Sequence, residues 1–111
     1  MAVTETFFSV AVCDMQRATH FYVEALGASV AFGSADWSSL WIAGVRLGLF
    51  RRPGHQPAQV GLHFVVSDLD GVRALIQGAG GQVGSPSEVA PGVVVVSATD
   101  TEGNTFTLRQ G

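Results

Sequence analysis

The apolar positions of this chain alternate, change to a helical spacing, and then do the same again. Phe8, Val10 and Val12 lie at period two and run into Asp14. Leu62, Phe64 and Val66 repeat the pattern 54 residues later and run into Asp68. Period two marks a strand with one buried face, and an Asp at its end suits a helix N-cap. Beyond Asp14, Met15 to Leu26 carries Phe21, Tyr22, Ala25 and Leu26 as a buried stripe and stops at Gly27. Beyond Asp68, Leu69 to Ala79 carries Leu69, Val72, Leu75 and Ile76, with Gly78, Gly80 and Gly81 ending it. A repeat this long predicts two copies of one supersecondary unit, each with an apolar face to cover.

The stretches after each helix read as short strands: Ser29 to Gly33, Trp37 to Ala43 and Val45 to Arg51 in the first half. In the second half they are Gln82 to Gly84, Val93 to Thr99 and Asn104 to Gln110, following the strand Gln59 to Ser67. Ala43-Gly44 and Asp100-Thr101-Glu102-Gly103-Asn104 are hairpin turns, and Arg52-Pro53-Gly54-His55-Gln56-Pro57 is a polar linker. The fold class is therefore α+β: a single domain over 1–111 made of two βαβββ modules, about 7–52 and 59–110.

Composition narrows the function. Charged residues make up only 14% against 47% hydrophobic, and the net charge of −3 comes without a basic cluster, which disfavours nucleic acid as a partner. One cysteine, Cys13, fits a reducing compartment and reads as a buried, inert thiol. No signal-peptide pattern opens the chain and no apolar run reaches the roughly 20 residues of a membrane span, so the expectation is a soluble cytoplasmic protein with no membrane partner. Asp14 and Asp68 are caps rather than a catalytic pair, and the Gly78 to Gly81 cluster ends a helix where a phosphate loop would begin one.

Strand parity divides each sheet into a pure apolar face and a mixed one. Phe8, Val10, Val12, Val45, Leu47, Leu49, Leu62, Phe64, Val66, Phe106 and Leu108 should pack beneath the helices. Phe7, Ser9, Trp37, Trp41, Arg46, Phe50, His63, Thr107 and Arg109 then face the other way and form the candidate ligand-binding set.

The strand running into Asp14, the helix with Phe21-Tyr22 and Leu26-Gly27, and the late Asp100-x-x-Gly103-Asn104 resemble the vicinal oxygen chelate superfamily. That group includes glyoxalase I, extradiol dioxygenases, fosfomycin-modifying enzymes and bleomycin-resistance proteins. The resemblance spans about Phe7 to Arg109 and implies curved mixed sheets around a cavity, and a homodimer. In metal-using members, by the same resemblance, ligands come from the strand position seven residues before each Asp and from two later strands. The matching positions here are Phe7, Gly61, Gly48 and Thr107, where His or Glu would be needed. Neither metal nor another cofactor is therefore expected.

Three functions remain open on this reading. The first is a metal-free protein holding a drug-like or aromatic metabolite between apolar walls, with Arg46 and Arg109 suited to an anionic group. The second is a metal-independent isomerase or lyase with His63 as general base. The third is a divalent-metal glyoxalase or dioxygenase. His63 as a sheet histidine, the tryptophans as packing and the arginines as solvated ends are the non-functional alternatives. His20 and His55 read as surface residues.

Overall fold

The structure is a computed structural model that describes residues 2–111. Its elements follow the repeat: β1 (Phe8–Val12), α1 (Met15–Leu26), β2 (Ser29–Gly33), β3 (Trp37–Ile42), β4 (Val45–Arg51), β5 (Gln59–Val66), α2 (Leu69–Gly78), β6 (Gln82–Ala90), β7 (Val93–Thr99) and β8 (Thr105–Gln110). Each half forms its own four-stranded sheet, in the orders β1-β4-β3-β2 and β5-β8-β7-β6. The first strand of each half pairs in parallel with the last, and the other pairings are antiparallel. The predicted α+β architecture of two βαβββ units is what the chain adopts.

Local chemistry explains the element ends. The Asp14 carboxylate accepts from the Arg17 N–H, and that of Asp68 from the Gly71 N–H, so each fills an orphan donor of a first turn. Gly27 closes α1 in the left-handed region at φ 71°, which a side chain would resist. The β3–β4 hairpin turns through Ala43 and Gly44, both at positive φ, as a tight type I′ turn requires.

The core is continuous across both halves. Val10, Val12, Leu40, Leu47 and Leu49 from the first sheet and Val96, Ala98, Phe106 and Leu108 from the second enclose Phe21, Tyr22, Ala25 and Ile76 from the helices. Packing of α1 on α2 joins the halves, and Phe21 meets Phe106 edge-on at 6.3 Å. Gly81 permits this closeness: a Cβ there would stand 2.6 Å from Phe21 and 2.8 Å from Ile76.

Several sequence expectations are corrected. β6 runs to Ala90 rather than Gly84, because an edge strand with an open side tolerates Pro86 and the irregularities around it. Leu75 is exposed; the apolar side of α2 is centred on Ile76, with Leu69 and Val72 half-buried. Cys13 is exposed rather than buried, since it lies past the end of β1. Phe8 and Val45 share the helix-side parity but lie about half exposed, because they line an open cleft instead of packing in the core.

The β7–β8 turn has a larger role than a turn. The Glu102 carboxylate is fully covered and reaches across to the first half, accepting from the backbone N–H groups of Cys13 (2.9 Å) and Asp14 (3.0 Å). It also takes two bonds from the Arg17 guanidinium, at 2.8 and 3.1 Å, and one from Thr101. Burial pushes this carboxyl upward, yet the Arg17 guanidinium and the N–H and O–H donors outweigh it and hold it at about 2. Asp100 accepts the Tyr22 hydroxyl at 2.7 Å, and Asn104 donates to the Ala11 carbonyl at 2.9 Å. The buried Tyr22 phenol is raised well above its ordinary range by burial and by the Asp100 charge.

Candidate functional site

With the helices on one side, each sheet leaves its other face open, and the two open faces differ in chemistry. In the first sheet the ring of Phe7, just ahead of β1, meets Trp37 edge-on at 6.0 Å. Phe50 pairs across from Trp37, and the Arg52 guanidinium lies 5.3 Å over the Phe50 ring. Trp41 pairs with Arg46, whose guanidinium stacks 5.4 Å above the indole and donates to Glu5 at 2.7 Å. A register shift in β2 between Val30 and Phe32 turns Phe32 to this face, opposite Ser39, where it is 58% exposed. That residue escaped strand parity, because a bulge reverses the alternation and leaves no mark in the apolar pattern.

The second sheet carries hydrogen-bonding groups in the corresponding places. The register Ser9–Gly48–Ser39 across β1, β4 and β3 corresponds to His63–Thr107–Ser97 across β5, β8 and β7. His63 Nδ1 and the Thr107 hydroxyl share a hydrogen bond, which fixes the ring and leaves Nε2 at the exposed side. Arg109 is exposed, pairs across from Val65 and Val95, and makes no ion pair among the described residues. Gly61 lies at φ 70° within the irregular β5–β8 register, so its backbone demands glycine.

The candidate residues thus form separate groups. Phe7, Trp37 and Phe50 are brought together, Trp41 and Arg46 form a second pair, and His63 and Thr107 a third. Arg46 and Arg109 lie in different sheets, and Arg46 already has a carboxylate partner. Ser9 sits beside Gly48 with its surface open. An apolar cleft of about 450 Å³ runs between the halves, lined among others by Phe8, Leu47, Arg46, Leu62, His63 and Phe64. The larger depression of about 870 Å³, beside the first turn of α1, is shallow and touches none of the candidate residues.

The donor set does not fit a metal. Phe7, Gly48 and Gly61 carry no donor atom, and the Thr107 hydroxyl is bonded to His63. The space above Gly48 is taken by the Trp37 indole, so close that a Cβ on residue 48 would lie 2.5 Å from the ring. No cluster of three His, Cys, Asp or Glu suited to a metal exists among the described residues.

Comparison with known proteins gives the ancestry. The sequence model of the glyoxalase-like domain matches residues 7–109. No functionally curated protein matches the sequence. Among solved structures, the fosfomycin resistance protein FosX from Listeria monocytogenes, in complex with Mn(II) and sulfate, superposes with a TM-score of 0.84 at 16% identity, covering 100% of this chain and 92% of that one. A bleomycin-binding protein complexed with bleomycin gives 0.70 at 20% identity, covering 98% and 99%. A hypothetical protein from S. aureus gives 0.77 at 18% identity, covering 100% of both.

Proposed function

Because this chain belongs to the glyoxalase-like domain family of the vicinal oxygen chelate superfamily, we propose that it is a small-molecule-binding protein that works without a bound metal. The observation that carries this reading is the Trp37 indole lying on Gly48, flanked by Phe7. At two of the four positions where the superfamily resemblance expects donors, 7 and 48, this chain has an aromatic plug. An aromatic wall with few polar points suits a drug-like or aromatic metabolite, and the bleomycin-binding neighbour supports a sequestering role.

In this reading the ligand lies between an aromatic sheet and a polar one. The first sheet supplies Trp37, Trp41, Phe7 and Phe50; the second supplies His63, Thr107, Ser97 and Arg109, the last suited to an anionic substituent. The open aromatic face leaves Phe7 47%, Phe32 58% and Trp41 44% exposed, and grouped exposed apolar side chains of this kind mark interaction surfaces. A homodimer in the cytoplasm, with the aromatic face of one copy turned to the polar face of the other, would enclose the site.

His63 supports a second reading. Its Nδ1 is anchored on Thr107, and in the tautomer whose Nδ1–H donates to the Thr107 oxygen Nε2 carries the lone pair a general base needs for proton transfer.

Tryptophan fluorescence titration with a panel of aromatic acids, aromatic amides and glycopeptide drugs tests the binding reading. Saturable quenching that Trp37→Phe weakens is expected, in protein that carries no stoichiometric metal when purified without chelator. Stoichiometric metal, or no ligand moving the emission, overturns it. Turnover lost in His63→Ala with ligand affinity retained selects the enzyme reading instead. Sedimentation at micromolar protein should give a dimer.

A further inference from the structure

The two copies pair their outer strands differently. β1 follows β4 without interruption, Phe8 with Leu47, Ser9 with Gly48 and Val10 with Leu49. β5 starts on β8 with Gln59 opposite Thr105 and then slips, so that Val60, Gly61 and Leu62 fall opposite Phe106 and His63 stands opposite Thr107. An even register would have set Gly61 there instead. The slip passes through Gly61 at φ 70°, a conformation that a side chain would resist. A bulge re-aims a side chain, and this one brings His63 Nδ1 onto the Thr107 hydroxyl, in a contact that lies exposed. A neutral hydrogen bond on an open sheet surface returns little net stability, which does not account for interrupting the ladder to make it.

We propose that Thr107 is a nucleophile, with His63 as its base, in the hydrolysis of an aryl ester that carries a short apolar acyl group. This role rests on the reading of His63 as a general base and uses the other tautomer. Nε2 holds the proton, and the Nδ1 lone pair accepts from the Thr107 hydroxyl. Thr107 Oγ1 attacks the ester carbonyl carbon while its proton passes to Nδ1. The bond to the phenolic oxygen then breaks, and that oxygen takes the proton from the imidazolium. Water attacks the acyl-threonine with Nδ1 again taking the proton, and Thr107 Oγ1 recovers it as the acid leaves. Arg109 is exposed, one pair further along the same face, and offers its charge to the carbonyl oxygen as that becomes anionic. A phenol needs less help from the imidazolium to depart than an alcohol does. His63 also stands in the wall of the apolar cleft of about 450 Å³, beside Leu62, Phe64 and Phe8, which suits the acyl group.

The test is p-nitrophenyl butyrate, followed by release of the phenol and by protein mass after an acid quench. Release above buffer is expected, with one butyryl group on the peptide that contains Thr107. Thr107→Ser should still turn the ester over. Thr107→Val and His63→Ala, both folded by circular dichroism, should each lose at least about 100-fold. No release above buffer, or butyryl groups elsewhere and none on Thr107, overturns the proposal without touching proton transfer by His63. Turnover kept in Thr107→Val but lost in His63→Ala also overturns it and leaves His63 a base acting on water. Turnover kept in both variants overturns the proposal and, with it, His63 as the base of this site.

Discussion

Replacing Glu102 by Gln keeps the side chain's shape and removes its charge, and the structure sets what that charge is worth. The carboxyl sits at about 2 against an ordinary value of 4.5, a difference equivalent to about 3 kcal/mol of folding stability at neutral pH. Arg17, one of its partners, has a side chain 53% exposed, so solvent screens part of this and about 2 kcal/mol is the working figure. The sign follows from the direction. A carboxyl lowered by folding contributes in full above its unfolded value and loses the contribution as pH falls toward the folded value. Glu102→Gln should therefore be less stable than the parent by about 2 kcal/mol at pH 7, with a melting temperature lower by about 8 °C. The gap should narrow between pH 4.5 and about 2, as the parent takes up the proton the variant never needs. Urea unfolding at pH 7, 4.5 and about 2.5 measures it. No gap at pH 7, or a gap that stays the same across that range, would refute the charge as what Glu102 supplies.

Three further outcomes follow from single contacts. Gly81→Ala places a methyl 2.5 Å from the Thr99 carbonyl oxygen and 2.6 Å from Phe21. It should lower stability by about 1–3 kcal/mol, and an unshifted urea midpoint would show that the joint between α1 and β6 is looser than described. Tyr22→Phe removes the hydroxyl bonded to Asp100 at 2.7 Å and should cost about 1–2 kcal/mol by thermal unfolding, while no loss would show Asp100 content with its other donors. Gly48→Ala, in a Trp41→Phe background, should displace the Trp37 indole, red-shift its emission and raise its acrylamide quenching. An unchanged spectrum would place Trp37 elsewhere.

What could be read from the chain, and what could not, divides along the range of the interaction. Period-two strands, Asp caps and the Gly27 stop are set by neighbours a few residues away, so the 54-residue repeat revealed both modules. The partition into a helix-side face and an open face followed from parity and holds for Val10, Val12, Leu47, Leu49, Phe106 and Leu108. It missed Phe32, where a bulge resets the alternation. It also missed the reach of Glu102, whose partners Cys13, Asp14 and Arg17 lie more than 80 residues away and share no pattern with it. The His63–Thr107 pair was foreseen only as two residues on one face. Their contact depends on the parallel register of β5 and β8, and the irregularity at Gly61 sets that register.

The divergence of the two copies is the strongest constraint on what the site can be. By strand register the two copies hold corresponding positions: Ser9 and His63, Gly48 and Thr107, Phe50 and Arg109, Trp37 and Val95. Folding asks the same of both copies on the helix side, and there both remain apolar. On the open side folding asks little, yet the first copy has gathered aromatic rings beside Ser9, Ser39 and Arg46, while the second has no Phe, Tyr or Trp there and carries His63, Thr107 and Arg109. Two like sheets drifting under packing alone have no reason to separate in this way. A ligand with an aromatic body and a polar edge does give a reason, because it needs both surfaces at once. Neither open face alone would then bind as the pair does: substitutions at Trp37 and at Arg109, in different sheets, should lower the affinity of the same ligand.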